Sequence, residues 1–220
     1  RNLISVGAEP IAITNCLNFG NPEKEKNMGE FVECVQGISE ACKYLDFPVV
    51  SGNVSFYNET KDKGIKPTPS IGGIWLLSNY KKMMTMELKN EGNYLLVIGK
   101  TEGHLDQSIF SRIILSKFNG PPPEINLFNE KQNGMSVLSL NNQNLIETCH
   151  DVSLGGILTA IAKMCISAKK GVKLFPFKNL VNKFEYFFGE DQARYIVEIP
   201  IENIKKVNEI LDKYSVHFDE

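Results

Sequence analysis

The stretch Ala12-Ile13-Thr14-Asn15-Cys16-Leu17-Asn18-Phe19-Gly20-Asn21-Pro22-Glu23 decides how this chain is read. An apolar, β-type run breaks abruptly into small and amide residues. A second run repeats that design: Pro48-Val49-Val50-Ser51-Gly52-Asn53-Val54-Ser55-Phe56-Tyr57-Asn58-Glu59. Between them Met28, Phe31, Val32, Val35, Ile38, Cys42 and Leu45 recur at three- and four-residue steps. They form the apolar face of one amphipathic helix, with Glu30, Glu33, Gln36, Glu40 and Lys43 on the other face. Lys61 to Pro69 reads as a polar loop, and Ile71 to Leu77 as a further strand, with Trp75 in its core pattern. The spacing predicts strand–helix–strand–loop–strand over 10–77. Two strand ends carrying oxygen ligands then lie side by side, a natural place for a metal–phosphate ligand. So short a stretch does not close a core alone.

The charged, Met-rich segment 78–91 marks the expected domain boundary. Beyond it Tyr94 to Gly99 predicts a buried strand, 109–114 a short helix, and 126–140 a weak helix. Leu145 to His150 predicts a strand, 157–165 a helix, Arg194 to Ile199 a strand, 201–211 a helix, and Val216 to Phe218 a last strand. The opening ten residues read as a helix ending in a turn, as in a piece cut from a longer polypeptide. The alternation implies an α+β fold with helices layered on mixed sheets.

Composition excludes several classes. A net charge of -2 argues against a basic nucleic-acid footprint. No apolar run reaches the ~18 residues of a membrane span, and no signal-peptide pattern opens the chain. Five cysteines, none in C-x-x-C spacing and most among apolar neighbours, predict a reduced, cytoplasmic protein with neither disulfide frame nor zinc site.

Four groups carry candidate chemistry. Gly52-Asn53-Val54-Ser55 reads either as a turn that needs a Gly and an Asn or as a site, in which Gly52 at a strand end lets backbone approach a ligand, Asn53 offers a hard oxygen suited to magnesium, and Ser55 shares a face with Asn53. Asn15 interrupts a strand and needs a partner, either a structural hydrogen bond or a ligand. His150-Asp151-Val152-Ser153-Leu154-Gly155-Gly156 is a strand-to-helix turn in which Asp151 or Ser153 caps the helix; His150 and Asp151 alternate to opposite faces, against a catalytic dyad. Glu190-Asp191 reads as a solvated loop ahead of a metal site.

These segments, taken in order, resemble phosphoribosylformylglycinamidine synthase, a family within the aminoimidazole ribonucleotide synthase-like superfamily. The resemblance rests on Asn15 to Lys24, Ser51 to Glu59, Pro67-Thr68-Pro69-Ser70-Ile71-Gly72, Pro121-Pro122-Pro123, the His150 turn and Phe188-Gly189-Glu190-Asp191-Gln192-Ala193-Arg194. It implies the C-terminal part of a tandem fold: 1–80 as a partial third domain and 90–220 as the fourth. It implies an ATP-dependent C–N ligase of purine biosynthesis. ATP activates the formamide oxygen of formylglycinamide ribonucleotide, and ammonia from a glutaminase subunit or domain displaces phosphate, leaving the amidine, ADP and phosphate.

Position by position, the resemblance places Asn15 (often Asp in the family) and Gly52 at ATP contacts, Asn53 at a magnesium ligand and Ser55 at a substrate contact. The family's catalytic histidine falls in an N-terminal half outside this chain, so the chain alone is expected to be inactive, with that half as a partner. Exposed apolar edges leave room for a homodimer. Leu154 stands where the turn usually has Asp, and Leu105-Asp106-Gln107-Ser108 where the family often has L-G-G-S. The rival readings are a noncatalytic nucleotide-binding or assembly domain and another ATP-using member of the superfamily.

Overall fold

The computed structural model describes residues 1–175 and 182–219. Its elements run α1 (Asn2–Ser5), β1 (Glu9–Asn18), α2 (Glu25–Leu45), β2 (Val49–Ser55), β3 (Glu59–Thr60), β4 (Lys63–Gly64) and β5 (Thr68–Leu76). They continue as β6 (Tyr94–Ile98), α3 (Ile109–Ile113), α4 (Leu127–Asn142), β7 (Thr148–Asp151), α5 (Gly156–Ala168), α6 (Lys183–Phe188), β8 (Tyr195–Ile199), α7 (Ile204–Lys213) and β9 (Phe218–Asp219). The chain forms two compact units: Glu9–Leu76, and Arg1–Ala8 with Leu77–Glu220.

The first unit is built on β1. The apolar run of β1 pairs in parallel with β2 on one side and antiparallel with β5 on the other, giving the order β2-β1-β5. α2 is the crossover that two parallel neighbours require. Ala12, Ile13, Leu17 and Phe19 are its buried apolar residues. Phe31 of α2 meets Phe19 and Phe56 edge-on, with ring centroids 5.2 and 5.0 Å apart. No residue of α2 is fully buried.

Two expectations change here. The 61–69 loop holds a small β3–β4 hairpin, with Lys61 and Asp62 both at positive φ (51° and 59°), the backbone of a tight two-residue turn. Trp75 is not core: it is 51% exposed, on an edge strand whose apolar residues Ile71, Ile74 and Leu76 are also about half exposed.

The second unit holds a four-stranded antiparallel sheet, β7-β8-β6-β9, covered on both faces. Leu96, Ile98, Tyr195 and Val197 face a cluster with Val137 and Leu140 of α4 and Val207 and Leu211 of α7. Val97 and Ile196 alternate to the other face, against Ile157, Ile161 and Met164 of α5. All five residues of β8 are buried, Glu198 among them. That carboxylate accepts hydrogen bonds from the backbone N–H of Lys89 (2.8 Å) and Asn90 (3.0 Å) and from Nδ2 of Asn93 (2.9 Å). A buried charge demands such partners.

Segment 78–91 is therefore more than a connector: Met84 and Leu88 are buried in the two cores of this unit. The expected strand from Leu145 starts only at Thr148, because Asn144 adopts a left-handed backbone (φ 55°) and Leu145 N–H closes the end of α4 on Leu140 O. Among the cysteines only Cys149 is buried, and Cys16 is exposed. Among the described residues no helix is long and apolar enough to cross a membrane.

Candidate functional site

In the first unit, β1 and β2 lie in register as Asn15↔Gly52, Cys16↔Asn53, Leu17↔Val54 and Asn18↔Ser55. Side chains alternate along a strand, so this register splits the four expected site residues between two faces. Asn15 and Gly52 share the face toward α2. Asn53 and Ser55 share the other, with Cys16 and Asn18.

Asn15 opens onto a cleft of about 340 Å³ lined by Leu17, Val35, Ile38, Cys42 and Val49, with Ser39 and Lys43 as its other polar residues. Among the described residues its amide forms no hydrogen bond, so the structural partner weighed for it is not there. The space above Gly52 is not open to a ligand on this face. A Cβ there would overlap Oδ1 of Asn15 and stand 3.1 Å from its Cγ.

On the opposite face Asn53 is exposed and its side chain likewise forms no hydrogen bond among the described residues. Ser55 Oγ donates to Asn58 Oδ1 at 3.3 Å, and Asn58 Nδ2 donates to the carbonyls of Phe19 and Ser55, both at 3.0 Å. Asn21 Oδ1 accepts from Glu23 N–H at 2.8 Å, which closes the turn after β1. Lys24 Nζ lies 2.7 Å from Glu59, and that hydrogen bond holds the Glu59 carboxyl below its ordinary value.

The donor set fits magnesium in part. It offers one free carboxamide oxygen, and no group of three His, Cys, Asp or Glu side chains that could hold a metal occurs among the described residues. That suits an ion held mostly by phosphate oxygens and water.

The second unit places its charged motif differently from the sequence reading. Glu190-Asp191 is not a solvated loop. Asp191 is buried and accepts hydrogen bonds from three successive N–H groups, those of Glu102 (3.1 Å), Gly103 (3.0 Å) and His104 (3.0 Å). Arg194 is fully buried and donates to Thr101 Oγ1 (3.1 Å) and Gly189 O (2.6 Å), with Nη1 3.7 Å from Asp191. Burial pushes its guanidinium down to about 10, partly opposed by Asp191.

Glu190 Oε1 accepts from Ile109 N–H (2.7 Å) and Gly155 N–H (2.8 Å). It therefore serves the N-termini of α3 and α5, the role expected of Asp151 or Ser153. Gly155 is the N-cap of α5 at φ +82°, with no side-chain cap of its own. The signal in the sequence was Arg194 three residues after Asp191 and just ahead of an apolar strand.

His150 also departs from the alternation argument. Its ring folds back onto the next residue, with Nδ1 3.5 Å from Asp151 Oδ1, and this contact holds the Asp151 carboxyl below its ordinary value. Leu154 is 63% exposed. Gln107, where the family often has Gly, takes a left-handed backbone (φ 60°) and donates from Nε2 to Gly120 O at 3.0 Å.

Beside this hub lies a cavity of about 750 Å³, lined among others by Gly99, Lys100, His104, Asp106, Asn126 and His217. Its floor includes Ala193 at φ +58°, whose N–H donates to Glu130 (3.0 Å) and whose carbonyl accepts from Asn133 (2.7 Å). Sequence reading gave no sign of this cavity.

The family described as AIR synthase related protein, N-terminal domain, matches residues 1–77, and its C-terminal domain counterpart matches residues 90–219. Phosphoribosylformylglycinamidine synthase subunit PurL of Pelagibacter ubique is 67% identical over 220 residues, all of this chain and 30% of the relative. The subunit of the same name from Bradyrhizobium diazoefficiens is 48% identical over 200 residues, 91% of this chain and 27% of the relative. The chain thus spans less than a third of the length of these relatives.

Thermotoga maritima PurL complexed with FGAR has a TM-score of 0.73 at 17% identity, covering 100% of this chain and 36% of that one. The same protein complexed with ATP gives 0.71 at 16%, covering 99% and 34%. A HypE–HypF complex gives 0.72 at 15%, covering 95% and 68%. At these identities the likeness concerns the fold.

Proposed function

The chain belongs to the AIR synthase related protein family, and from that premise we propose that it works as part of a phosphoribosylformylglycinamidine synthase. The reaction is the ATP-dependent conversion of formylglycinamide ribonucleotide and glutamine-derived ammonia to formylglycinamidine ribonucleotide. The observation that carries this reading is 67% identity to a PurL subunit along all 220 residues. A PurL complexed with FGAR, PurL complexes with ATP and ADP, and a PurLQS assembly among the fold neighbours support the choice of substrate, nucleotide and glutaminase partner.

In this reading 1–80 and 90–220 are the third and fourth domains of a longer, cytoplasmic enzyme, with a homodimer as a further option. Asn53 contributes an oxygen to magnesium and Ser55 touches the substrate on one face of β2; Asn15, on the face toward α2, and Gly52, through its backbone because Asn15 closes the space above it, are the nucleotide contacts. Phosphoryl transfer depends on positioning and charge neutralisation, and a magnesium held in part by Asn53 would supply the neutralisation. This chain's own residues need only present amide and hydroxyl groups in a fixed geometry. The amides of Asn15 and Asn53 suit that task, since neither makes a hydrogen bond among the described residues.

The test is an assay of amidine and phosphate formation by the 220-residue chain alone and with the rest of the synthetase added. No turnover alone and turnover on reconstitution are expected. Turnover by the chain alone overturns the division of labour. Inactivity of the reconstituted enzyme toward formylglycinamide ribonucleotide, with another ATP-dependent reaction found, transfers the chain to a different branch of the superfamily.

A further inference from the structure

β1 is the central strand of its sheet, and two consecutive side chains on it lean over glycines on its two neighbours. Asn15 is in register with Gly52 on β2, and Thr14 with Gly72 on β5. A Cβ at Gly72 would lie 2.9 Å from Cγ2 of Thr14. A Cβ at Gly52 would overlap Oδ1 of Asn15 and approach its Cγ and its backbone oxygen to 3.1 Å. Neither glycine has a positive φ, so backbone conformation does not call for glycine at either position. At Gly52 the missing side chain is needed by Asn15, and close approach of a ligand is not required to explain it.

The pair sits at a place where the strands need an anchor. The β1–β2 register shifts between Ile13 and Thr14, immediately before Asn15. Past that irregularity, β2 is an edge strand whose one partner in its sheet is β1. A slip of one residue would turn every side chain of β2 to the other face. Asn53 and Ser55 follow directly after Gly52, so their direction is set by whatever fixes the register at Gly52.

We infer that Asn15 and Gly52 form an interlocking pair that fixes the register of β2 on β1 and thereby aims Asn53 and Ser55 from the opposite face. Asn15 is a positioning residue for them, whatever contact its amide also makes. The aiming half of this statement rests on the proposed magnesium role of Asn53; the interlock does not.

The test is a cycle of Gly52→Ala, Asn15→Ala and the double variant in the 220-residue chain. It is read first by backbone hydrogen exchange at 53–55, with 71–76 of β5 as internal reference. Gly52→Ala should speed exchange at 53–55 by about tenfold, and the same change in the Asn15→Ala background by much less. If Gly52→Ala fails to fold, the double variant should fold; if both fail, or if exchange rises equally in both backgrounds, the interlock is wrong.

The second readout is the magnesium concentration needed for ADP binding, measured by calorimetry. Gly52→Ala should raise it by about tenfold, and adding Asn15→Ala should bring it back toward the original value. An unchanged magnesium requirement overturns the aiming role. Failure of the unaltered chain to bind magnesium and ADP would instead count against the proposed function, with the exchange cycle still deciding the interlock.

Discussion

The two sheets of this chain use their polar residues in opposite ways. In the second unit, buried Asp191, Arg194 and Glu198 and half-buried Glu190 are consumed by the fold: each satisfies backbone groups of loops that would otherwise end without partners. In the first unit the amides of Asn15 and Asn53 are left without protein partners, and large apolar residues such as Val50 (62%) and Trp75 (51%) stay exposed. Hydrogen-bonding atoms already consumed by the fold cannot also be offered to a ligand. The contrast marks β1 and β2 as the better place to look for ligand contacts.

The contrast breaks first if the second unit tolerates loss of its hub. Asp191→Ala leaves three N–H groups and a buried guanidinium without their carboxylate, and should cost about 3–5 kcal/mol. Differential scanning calorimetry should show the loss in the transition that contains β6 and β8. A cost near zero would mean the hub is ornamental.

Next in size is Phe19→Ala in the first unit. Phe19 is buried against Phe31, and its loss should cost about 3 kcal/mol by urea denaturation. Trp75→Ala, although a larger deletion, should cost about 1–2 kcal/mol, less than Phe19→Ala, because half of that side chain already meets solvent. A Trp75 cost equal to that of Phe19 would show that the sheet face is covered in solution.

Glu190→Ala removes the acceptor for the first N–H groups of two helices and should cost about 1–2 kcal/mol. The smallest effect concerns Glu59. Its folded value lies below the ordinary 4.5 because of Lys24, so the stability it contributes is present above that pH and fades as pH falls through the folded value. Glu59→Gln should flatten only that acid limb of a pH–stability curve, leaving neutral pH nearly unchanged.

Much of this was legible. The period-2 and period-3.6 patterns located β1, α2, β2, β6, α5 and β8, because each of these elements repeats its apolar residues at the period of its own backbone. The motif residues of the first unit were legible as candidates, but not their distribution over two faces. That follows from the pairing register, and a register with an irregularity at Ile13 and Thr14 is a tertiary property. Asp191 and Glu190 were misread because two adjacent acids resemble a solvated loop. Only the fold shows the successive N–H groups of Glu102, Gly103 and His104 gathered on one carboxylate. Trp75 was misread because an apolar strand pattern says which residues want cover, and not which of them receive it.

The central claim is that the free amide of Asn53 is a magnesium contact on a nucleotide-binding wall. It is tested most directly by calorimetric titration of magnesium and ADP into the chain and its Asn53→Ala variant, with melting temperature as control. The account predicts binding by the unaltered chain, weakening by about tenfold or more in the variant, and melting within about 0.5 kcal/mol of the original, as expected for an exposed side chain with no partner. Equal binding by the two proteins would contradict it.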